Sequence, residues 1–409
     1  MTDRGSRRMT SATNKQSGGK KVEVLIPVLL AGGTEAQTLY LVRALRSADY
    51  SVGVCCYFEA NETVIQAFER EGTRVSPLRL GSSGQAHRLK SLLKVGRAVF
   101  THLRQTRPDV VHVQYLAPGL VSVLAARAAR VPTVLATVHQ PGDPYGAMAR
   151  LSLRFAARLS TVFFCVSRAV ERSWFGDSAL FDPSSVGKRR HFTLYNCVDV
   201  RRFGDAASQA GSHAARETLG LGSRPTVGVV GRLRREKGHA ALLEALSLVV
   251  RSVPDVTLLV VGDGQERANL EERARGLGLD GHIVWLGARR PEELPGLYGV
   301  MDVVAIPSQF EGFGLVAVEA MAAERPVVAF AVDGLAEVIE HRFTGYLVEP
   351  GKVEALAAAL VYVLLHRDEA ARMGSSGRQT VRDKFSYERY SEQIESAYRL
   401  FARDATRID

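Results

Sequence analysis

The chain has 409 residues, of which 46% are hydrophobic and 23% charged, and its net charge at pH 7 is +10. These proportions are typical of soluble globular proteins, so they exclude disordered, collagen-like and fibrous classes. The length predicts two or three domains. The apolar runs are much shorter than the roughly 18 residues that a membrane-spanning helix needs, so no transmembrane helix is expected.

The first 21 residues are rich in Lys, Arg, Ser, Thr and Gly and contain no apolar run. A secretory signal needs such a run, so residues 1–21 are predicted to form a disordered basic arm. The four cysteines are too few for a disulfide scaffold in a chain of this length, and no Cys or His spacing is typical of zinc binding. We therefore expect a reducing, cytoplasmic location and no zinc.

Short β-branched runs alternate with helix-length segments, which is typical of βα units on parallel sheets. The first series of predicted strands comprises residues 22–29, 52–58, 74–78, 109–113, 133–138 and 161–166. The second series comprises residues 226–230, 256–261, 282–286, 303–306, 326–330 and 346–348. The pattern predicts an α/β fold with two sheets. Ligands of open α/β sheets bind at the carboxyl ends of the strands, so the site is expected in the cleft between the sheets.

Charge divides the chain near Asp205, where Ala, Ser and Gly follow and suggest a linker. Residues 1–205 carry 29 Lys and Arg against 15 Asp and Glu, a net of +14, whereas residues 206–409 carry 24 against 28, a net of −4. We predict a first domain over residues 22–205 and a second over residues 206–385. The basic half indicates an anionic partner such as nucleic acid, acidic lipid headgroups or an acidic polymer, unless its charge serves only solubility.

A last helix is predicted within residues 386–409. Its apolar residues recur at helical spacing, and we expect them to pack back on the first domain. They are Tyr390, Ile394, Ala397, Tyr398 and Phe401.

The segment SQFEGFGLVAVEAMA at 308–322 follows the predicted strand 303–306. A strand, a glycine loop and a helix in this order point free backbone amides at an anion, which predicts a phosphate site at Gly312, Phe313, Gly314 and Leu315. Glu311 in the loop and Glu319 in the helix can hold sugar hydroxyls. For two such residues alone, the simpler explanation is a charge at the helix start and a solvated helix residue.

The segment GRLRREKG at 231–238 follows the predicted strand 226–230. Arg232 offers a two-pronged guanidinium and Lys237 a point charge, a combination suited to a diphosphate, although alone it is simply a solvated basic loop. Two more glycine turns follow strands, with Gly33 in GGTE and Gly262 and Gly264 in VGDG. Arg267 stands where a dinucleotide-binding G-x-G-x-x-G motif has its third glycine, which disfavours an oxidoreductase.

Together these segments resemble the retaining glycosyltransferases of glycosyltransferase family 4, which have the GT-B fold. The matching motifs span the chain from residue 22 to the last helix. They are the E-x(7)-E pattern of Glu311 and Glu319 in EGFGLVAVEAMA, GRLRREKG at 231–238, VVGDG at 260–264, PVVA at 326–329, GGTEAQTL at 32–39, ATVHQPG around His139 and CVSRAV at 165–170. The resemblance implies two Rossmann-like domains with parallel sheets facing a central cleft, the first binding the acceptor and the second the nucleotide sugar.

The resemblance also implies roles for individual residues. Arg232 and Lys237 bind the donor diphosphate and stabilise charge on the leaving nucleotide. Glu311 contacts donor sugar hydroxyls, Glu319 holds the nucleotide ribose, and His139 lies across the cleft as a further catalytic residue. Without the resemblance, His139 is more simply a structural histidine. The other residues expected at the donor are Gly33, Gly231, Gly262, Gly264, Gly312, Phe313, Gly314 and Leu315.

The implied reaction is transfer of a hexose, with retention, from a nucleotide diphosphate sugar to a hydroxyl of a glycan, glycolipid or lipid-linked acceptor. The resemblance favours UDP over GDP and a role in cell-surface polysaccharide or glycoconjugate synthesis. No D-x-D motif occurs in a suitable loop, so no metal is expected to be required, with at most modest stimulation by magnesium. A catalytically inactive sugar- or nucleotide-binding homologue is the alternative.

Three positions depart from the family pattern, because a larger residue stands where glycine is common. They are Cys197 in Asn-Cys-Val-Asp, Glu324 before Arg-Pro, and Asp333 in the Asp-Gly-Leu-Ala-Glu run, which retains Glu337. Altered loop geometry is expected at these points.

Residues 88–107 contain six Lys and Arg and no acid. Leu89, Leu92, Leu93, Phe100 and Leu103 fall on one predicted helical stripe. This composition is typical of an interfacial helix, which predicts a peripheral position on an anionic inner membrane face. The simpler alternative is a helix that packs its stripe on the sheet. Nucleic-acid binding is disfavoured, because the basic half lacks aromatic-interleaved basic motifs.

Overall fold

Two parallel β-sheets organise the chain in the computed structural model, which describes residues 19–85, 89–115, 119–210 and 213–402. The first sheet contains β1 Lys21–Ile26, β2 Ser51–Cys56, β3 Arg74–Pro77, β4 Val110–Tyr115, β5 Thr133–Val138, β6 Val162–Cys165 and β7 His191–Thr193. The second contains β8 Thr226–Val230, β9 Thr257–Val261, β10 Ile283–Gly287, β11 Val303–Ile306, β12 Val327–Phe330 and β13 Gly345–Val348. The two-sheet α/β prediction is confirmed.

Helices connect and cover the strands of both sheets. They are α1 Gly33–Ser47, α2 Glu62–Arg70, α3 Leu89–Thr106, α4 Gly119–Ala128, α5 Ala147–Leu159, α6 Arg168–Phe175, α7 Val200–Ala210, α8 His213–Thr218, α9 His239–Ser252, α10 Arg267–Gly276, α11 Leu294–Gly299, α12 Leu315–Ala322, α13 Leu335–Val338, α14 Val353–Leu365, α15 Arg367–Lys384 and α16 Tyr387–Phe401. We call β1–β7 with α1–α6 and α16 the first domain, and β8–β13 with α7–α15 the second domain. No helix in the described ranges is long and apolar enough to cross a bilayer.

The strand order places the switch point of each sheet beside its first strand. The orders are β3-β2-β1-β4-β5-β6-β7 and β10-β9-β8-β11-β12-β13. Chain direction across the sheet reverses between β1 and β4 and between β8 and β11, and a crevice opens at such points. The loops that leave β1, β8 and β11 carry the glycine motifs singled out in the sequence.

Most strand boundaries agree with the sequence, and the differences have local causes. Residues 133–138, 226–230 and 303–306 form strands with the predicted ends. The strand predicted over residues 22–29 ends at Ile26, because Pro27 has no N–H with which to continue the ladder. Strand β7 was not predicted, since three residues at a sheet edge leave no periodic pattern.

The linker predicted after Asp205 is wrong, because helix α7 runs through it. Its Ala residues favour helix, and Phe203 and Ala207 are buried. A Cβ on Gly299 of α11 would lie 2.4 Å from the Ala207 carbonyl oxygen, so the two helices pack backbone to backbone. At the other end, residues 1–18 of the predicted arm lie outside the described residues, and Lys21 already begins β1.

The last helix lies on the first domain. The backbone N–H groups of Val198 and Tyr387 each donate across the crossing between domains, to Phe385 and Val198 respectively, at 3.0 Å. Helix α16 then packs along α1, and the Tyr398 hydroxyl lies 2.7 Å from Nδ1 of His112 in β4. Residue 403, the predicted helix end, lies outside the described residues.

Two of the three positions where a larger residue stands in place of glycine have different backbone conformations. Cys197 is fully buried and is not among the residues with positive φ, so its backbone does not require glycine. The Gln37 side-chain amide holds it, donating to the Cys197 carbonyl at 2.7 Å and accepting from its N–H at 3.0 Å. Glu324 does have a positive φ of 58°, a conformation that glycine adopts at lower cost.

Candidate active site

Glycine residues let the loops after β8 and β9 pack directly on each other. Gly262 has a φ of 142°, and a Cβ there would lie 1.8 Å from the Gly231 carbonyl oxygen. A Cβ on Gly264 would lie 2.4 Å from the Leu233 carbonyl oxygen. The backbone N–H of Gly231 donates to the Val261 carbonyl oxygen, and the N–H of Leu233 donates to the Asp263 carbonyl oxygen, both at 2.9 Å. These glycines therefore set the close packing of the loops that carry Arg232 and Lys237.

Lys237 and Glu311, 74 positions apart, meet at the carboxyl ends of β8 and β11. Lys237 Nζ donates to both Glu311 carboxylate oxygens, at 2.9 and 2.6 Å. Gly238 follows with a φ of 70°, and a Cβ there would lie 1.8 Å from the Pro307 carbonyl oxygen. Only glycine permits this approach of the two loops. An anion entering here would attract Lys237 and repel Glu311, leaving the carboxylate able to accept a hydrogen bond from a hydroxyl group.

Arg232 is exposed, and none of the carboxylates in the described ranges lies within ion-pair distance of it. Glu35, in the first turn of α1, interacts electrostatically with Arg232 from the other side of the cleft. Burial raises the pKa of Glu35, and the positive charge of Arg232 partly opposes that rise. Sequence reasoning missed Glu35, although the GGTE motif contains it. Arg232 thus presents an exposed guanidinium, unpaired among the described residues, on the loop after β8.

The loop before α12 touches the first domain at two glycines. A Cβ on Gly312 would lie 2.0 Å from the His139 carbonyl oxygen, and a Cβ on Gly33 would lie 2.8 Å from Leu315 Cδ1. Gly314 caps α12 with a φ of 96°. The first amides of a helix have no partner within it, so those of α12 are open to a ligand in the cleft.

Phe313 faces away from the cleft. Its ring is buried against Tyr195 of the first domain, at a centroid distance of 5.9 Å, and against Phe385, at 5.4 Å. Only the backbone of Phe313 is therefore available to a ligand. The ring instead anchors the loop at the junction of the domains.

Glu319 lies in α12, one to two turns beyond the loop. The Tyr298 hydroxyl donates to Glu319 Oε2 at 2.7 Å. Burial raises the pKa of Glu319 to about 7, against the opposing effects of the Tyr298 hydrogen bond and the Arg202 charge. One carboxylate oxygen is thereby fixed, and the other is able to accept a hydrogen bond from a ligand.

His139 directly follows β5 and faces the loop before α12. Its Nε2 lies 2.7 Å from the Gln114 side-chain carbonyl, which accepts, so Nε2 carries the proton. Burial lowers the pKa of His139 to about 4, so the ring is neutral at neutral pH. A neutral imidazole can hydrogen-bond a sugar hydroxyl, but it supplies no positive charge to a diphosphate.

Asp333 and Gly334 form hydrogen bonds with the backbone of Glu311. Asp333 Oδ2 accepts from the Glu311 N–H at 3.0 Å, and the Gly334 N–H donates to the Glu311 carbonyl at 3.1 Å. Asp333 has a φ of 36°, so it occupies a conformation that glycine favours and uses its side chain in compensation. The departure at this position thus alters the loop by adding a hydrogen bond.

Glu337 joins the two domains, a role that sequence reasoning missed. Its carboxylate accepts from the N–H groups of Arg168 and Ala169 at 3.0 and 2.5 Å, and from the Tyr195 hydroxyl at 3.0 Å. The Ser167 hydroxyl donates to the Gly312 carbonyl at 2.6 Å. A carboxylate of the second domain therefore caps helix α6 of the first. The CVSRAV motif, which had no assigned role, forms this helix start.

One group of candidate metal ligands occurs among the described residues, outside the cleft. Glu171, Asp177 and His191 bring ligand atoms together in the first domain. The Arg189 guanidinium already lies between two of them, 3.2 Å from Glu171 and 2.9 Å from Asp177. This cluster is an ion-pair network whose cation belongs to the chain.

Comparison with known proteins agrees with this geometry. Residues 31–178 match the model of Glycosyltransferase Family 4, and residues 213–380 match that of Glycosyl transferases group 1. A GDP-mannose-dependent alpha-(1-6)-phosphatidylinositol monomannoside mannosyltransferase of Mycobacterium tuberculosis is 31% identical over 301 residues, covering 70% of this chain and 75% of that protein. A D-inositol 3-phosphate glycosyltransferase of Corynebacterium urealyticum is 36% identical over 210 residues, 49% of each chain.

Solved structures share the fold over nearly the whole chain. Anabaena HepE in complex with UDP-glucose has a TM-score of 0.76 at 23% identity, over 93% of this chain and 99% of that one. Sucrose-phosphate synthase from Thermosynechococcus elongatus also has a TM-score of 0.76, at 22% identity, over 94% of this chain and 100% of that one. With the matches in both domains and the two facing sheets, this chain belongs to the family 4 glycosyltransferases of the GT-B fold.

Proposed function

We propose that the protein is a retaining hexosyltransferase that uses a nucleotide diphosphate sugar and glycosylates a hydroxyl of a glycan, glycolipid or lipid-linked acceptor. The observation that carries the proposal is the pairing of Lys237 with Glu311 in the loop just before α12, with Arg232 exposed on the same loop as Lys237. His139 and Gly33 lie against the loop before α12 from the other side. Two cations and open helix amides fit a diphosphate, and an inactive homologue would have no need to keep all of them.

In the proposed reaction, the bond between the anomeric carbon and the diphosphate oxygen breaks, and the nucleotide diphosphate leaves with the electron pair. The acceptor oxygen bonds to the same face of the carbon, and its proton passes to the leaving phosphate oxygen. Arg232 and Lys237 stabilise the charge that develops on the diphosphate. Configuration is therefore retained without a covalent enzyme intermediate.

In this scheme Glu311 does not act as a covalent nucleophile, because the acceptor oxygen itself bonds to the anomeric carbon and no enzyme-bound sugar forms. Both oxygens of its carboxylate accept hydrogen bonds from Lys237. We propose that it accepts hydrogen bonds from donor sugar hydroxyls once the diphosphate draws Lys237 away. Glu319, fixed by Tyr298, holds the ribose, and His139 hydrogen-bonds the sugar as a neutral ring.

The proposed reaction requires no metal, because Arg232 and Lys237 carry out the charge stabilisation that a divalent ion performs elsewhere. Turnover in the presence of EDTA should match turnover without it, with at most modest stimulation by added magnesium. Loss of activity in EDTA, restored by magnesium, would overturn this part of the proposal.

Two nucleotides are candidates for the donor. The family resemblance favours UDP, whereas the mycobacterial relative is GDP-mannose-dependent. A thermal-shift comparison of UDP, GDP, ADP and NAD at matched concentrations tests the site without an acceptor, because a ligand that binds only the folded state raises the melting temperature. We expect a shift with UDP or GDP. A shift with NAD alone would favour an oxidoreductase.

Two variants tie any shift to the proposed site. Lys237→Ala should reduce the shift given by the active nucleotide, whereas Lys352→Ala, at an exposed position before α14, should leave it unchanged. An equal shift in the Lys237 variant would place the nucleotide elsewhere. With the donor known, the anomeric configuration of the product, read by NMR, tests retention. Nucleotide binding without turnover on any acceptor would favour the inactive homologue.

A further inference from the structure

Helix α5 exposes large apolar residues on the face that a helix of a soluble protein normally keeps polar. Its buried face is formed by Leu153, Ala156 and Ala157. On the opposite face, the exposed fractions of Met148, Leu151 and Phe155 are 78, 65 and 47%. The sequence pattern does not distinguish this helix from one that is buried on both sides. Within the residues that the structure describes, no segment covers this apolar face.

The neighbouring helices extend this face. Helix α4 contacts both α3 and α5, so the three helices lie side by side on one side of the first sheet. Leu89 and Leu93 of α3 are 71 and 67% exposed, and Leu124 of α4 is 43% exposed. Elsewhere in the described ranges, exposed large apolar residues are scattered. We call the surface formed by the exposed sides of α3, α4 and α5 the apolar-basic face.

The stripe predicted for α3 is only partly correct. Leu103 is buried together with Val95 and Val99, so these residues pack α3 on the sheet. Leu89 and Leu93 lie outside that packing. Helix α3 therefore has both a core-facing side and an exposed apolar end, which the sequence analysis treated as alternatives.

The charge of the apolar-basic face has one sign. Helices α3, α4 and α5 contain eight Lys and Arg residues and no Asp or Glu. On the exposed side, Lys90 and Lys94 flank Leu93, and Arg154 and Arg158 flank Phe155. Among the residues that the structure describes, the one ion pair of these eight joins Arg150 to Asp143, at 3.4 Å. Apolar side chains surrounded by cations match an acidic lipid bilayer. Its acyl chains accept the apolar side chains, and its anionic headgroups attract the cations around them.

The apolar-basic face reaches the mouth of the cleft. In a parallel sheet, the helix after a strand begins at the carboxyl edge, so the first turns of α3 and α5 lie at the cleft edge of the sheet. Leu89 opens α3, and Met148 is the second residue of α5. His139 directly follows β5 at the same edge. A bilayer against this face would present lipid headgroups beside His139.

We infer that the apolar-basic face docks on an anionic membrane, inserting Leu89, Leu93, Met148, Leu151 and Phe155, and delivers a lipid-linked acceptor to the cleft. The inference rests on the proposed glycosyltransferase reaction and names its acceptor as membrane-held. A bilayer accounts for both the exposed apolar residues and the single sign of charge. A nucleic acid or soluble acidic polymer would account only for the charge.

The test is flotation of the full chain with vesicles of phosphatidylcholine alone and with added phosphatidylglycerol. The protein should float mainly with the phosphatidylglycerol vesicles. Leu151→Glu combined with Phe155→Glu should lower the bound fraction at least roughly tenfold, because two inserted side chains are lost and two acids added. The matched control is Phe343→Glu with Leu365→Glu, at second-domain positions 50 and 59% exposed, which should bind as the parent does.

Nucleotide thermal shifts separate this inference from the proposed function. If the Leu151 and Phe155 variant keeps the parent's nucleotide shift and loses flotation, the variant is folded and the docking face is established. Equal flotation of variant and parent, or no flotation of the parent, overturns the docking inference and leaves the proposed reaction standing. Flotation without any nucleotide shift would instead remove the proposed function. A parent dimer that the variant abolishes, without flotation, would show that a second copy covers the face.

Discussion

The two sides of the cleft are built by different means. On the second-domain side, Gly238 and Gly262 allow backbone-to-backbone packing that admits no side chain, and Lys237 and Glu311 are tied to each other. On the first-domain side, the access to His139 is bordered by helices with exposed apolar and basic residues. The second-domain side is thus fixed by local geometry that leaves sequence motifs. The border of the first-domain side depends on which residues a helix leaves exposed, and no motif contains that information.

Removing a cation from the second-domain side of the cleft should have the largest effect. We expect Lys237→Ala and Arg232→Ala each to lower kcat by roughly 10²- to 10³-fold, because in the proposed reaction they act on charge that develops as the donor bond breaks. The melting temperature should change little in the Arg232 variant, since Arg232 has no ion-pair partner in the described ranges. It should fall in the Lys237 variant, since the partly buried Glu311 carboxylate loses its cation. Steady-state kinetics and a thermal melt of the same preparations test this. Undiminished kcat in folded protein would remove these residues from the site.

Adding a side chain at a glycine on the second-domain side of the cleft should lower stability. Gly262→Ala places a Cβ 1.8 Å from the Gly231 carbonyl oxygen at a φ of 142°, and we expect a loss of about 3 kcal/mol in the free energy of unfolding. The control is Gly276→Ala at the end of α10, where a Cβ would meet no atom within 4 Å. That change should stabilise the protein by about 0.5 to 1 kcal/mol. Urea denaturation of both variants measures the difference, and equal effects would refute the close packing.

The pKa of Glu319 should make stability depend on pH. Burial raises this pKa from 4.5 to about 7, so the folded state binds the proton more tightly than the unfolded state. The contribution of Glu319 to stability is then greatest below about pH 4.5 and declines as the pH rises through about 7. Relative to Glu319→Gln, the parent should lose on the order of 2 kcal/mol over that interval. Parallel pH profiles would contradict the raised pKa.

Removing the hydrogen bond between Tyr195 of the first domain and Glu337 of the second should have the smallest effect on stability. Glu337→Gln and Tyr195→Phe form a double-mutant cycle across their 3.0 Å hydrogen bond, with an expected coupling of about 1 kcal/mol in the free energy of unfolding. Glu349→Gln, at an exposed position of the second domain, should be additive with Tyr195→Phe. Additivity of both pairs would mean that the hydrogen bond between Tyr195 and Glu337 does not contribute to stability in solution.

Local chemistry explains how much the sequence could predict. The buried strands leave unbroken β-branched runs, so residues 133–138, 226–230 and 303–306 were located to the residue. The glycine loops could also be found from the sequence, because their own backbone conformation requires glycine. The pairing of Lys237 with Glu311 and the capping of α6 by Glu337 depend on segments far apart in the chain. No local pattern contains such information.

The exposed face of helix α5 could not be predicted from the sequence. Its leucines, methionine and alanines fit a helix buried on two sides as well as one buried on one, because helical periodicity records apolar residues and not what covers them. Only the packed structure shows that α4 covers one side and nothing described covers the other. The linker prediction failed in a similar way, since the packing of Phe203 and Ala207 turns a polar-looking segment into helix α7.

The return of α16 to the first domain has a consequence for biosynthesis. Tyr390, Ile394 and Tyr398 complete the apolar cluster around Leu41 and Leu45 of α1, and Tyr398 supplies one of the two partners of the buried His112. During translation, strands β1–β7 leave the ribosome some two hundred residues before this helix, a separation of the order of a whole domain. The domain that is made first is therefore completed last, and until then its α1 surface needs protection by other means.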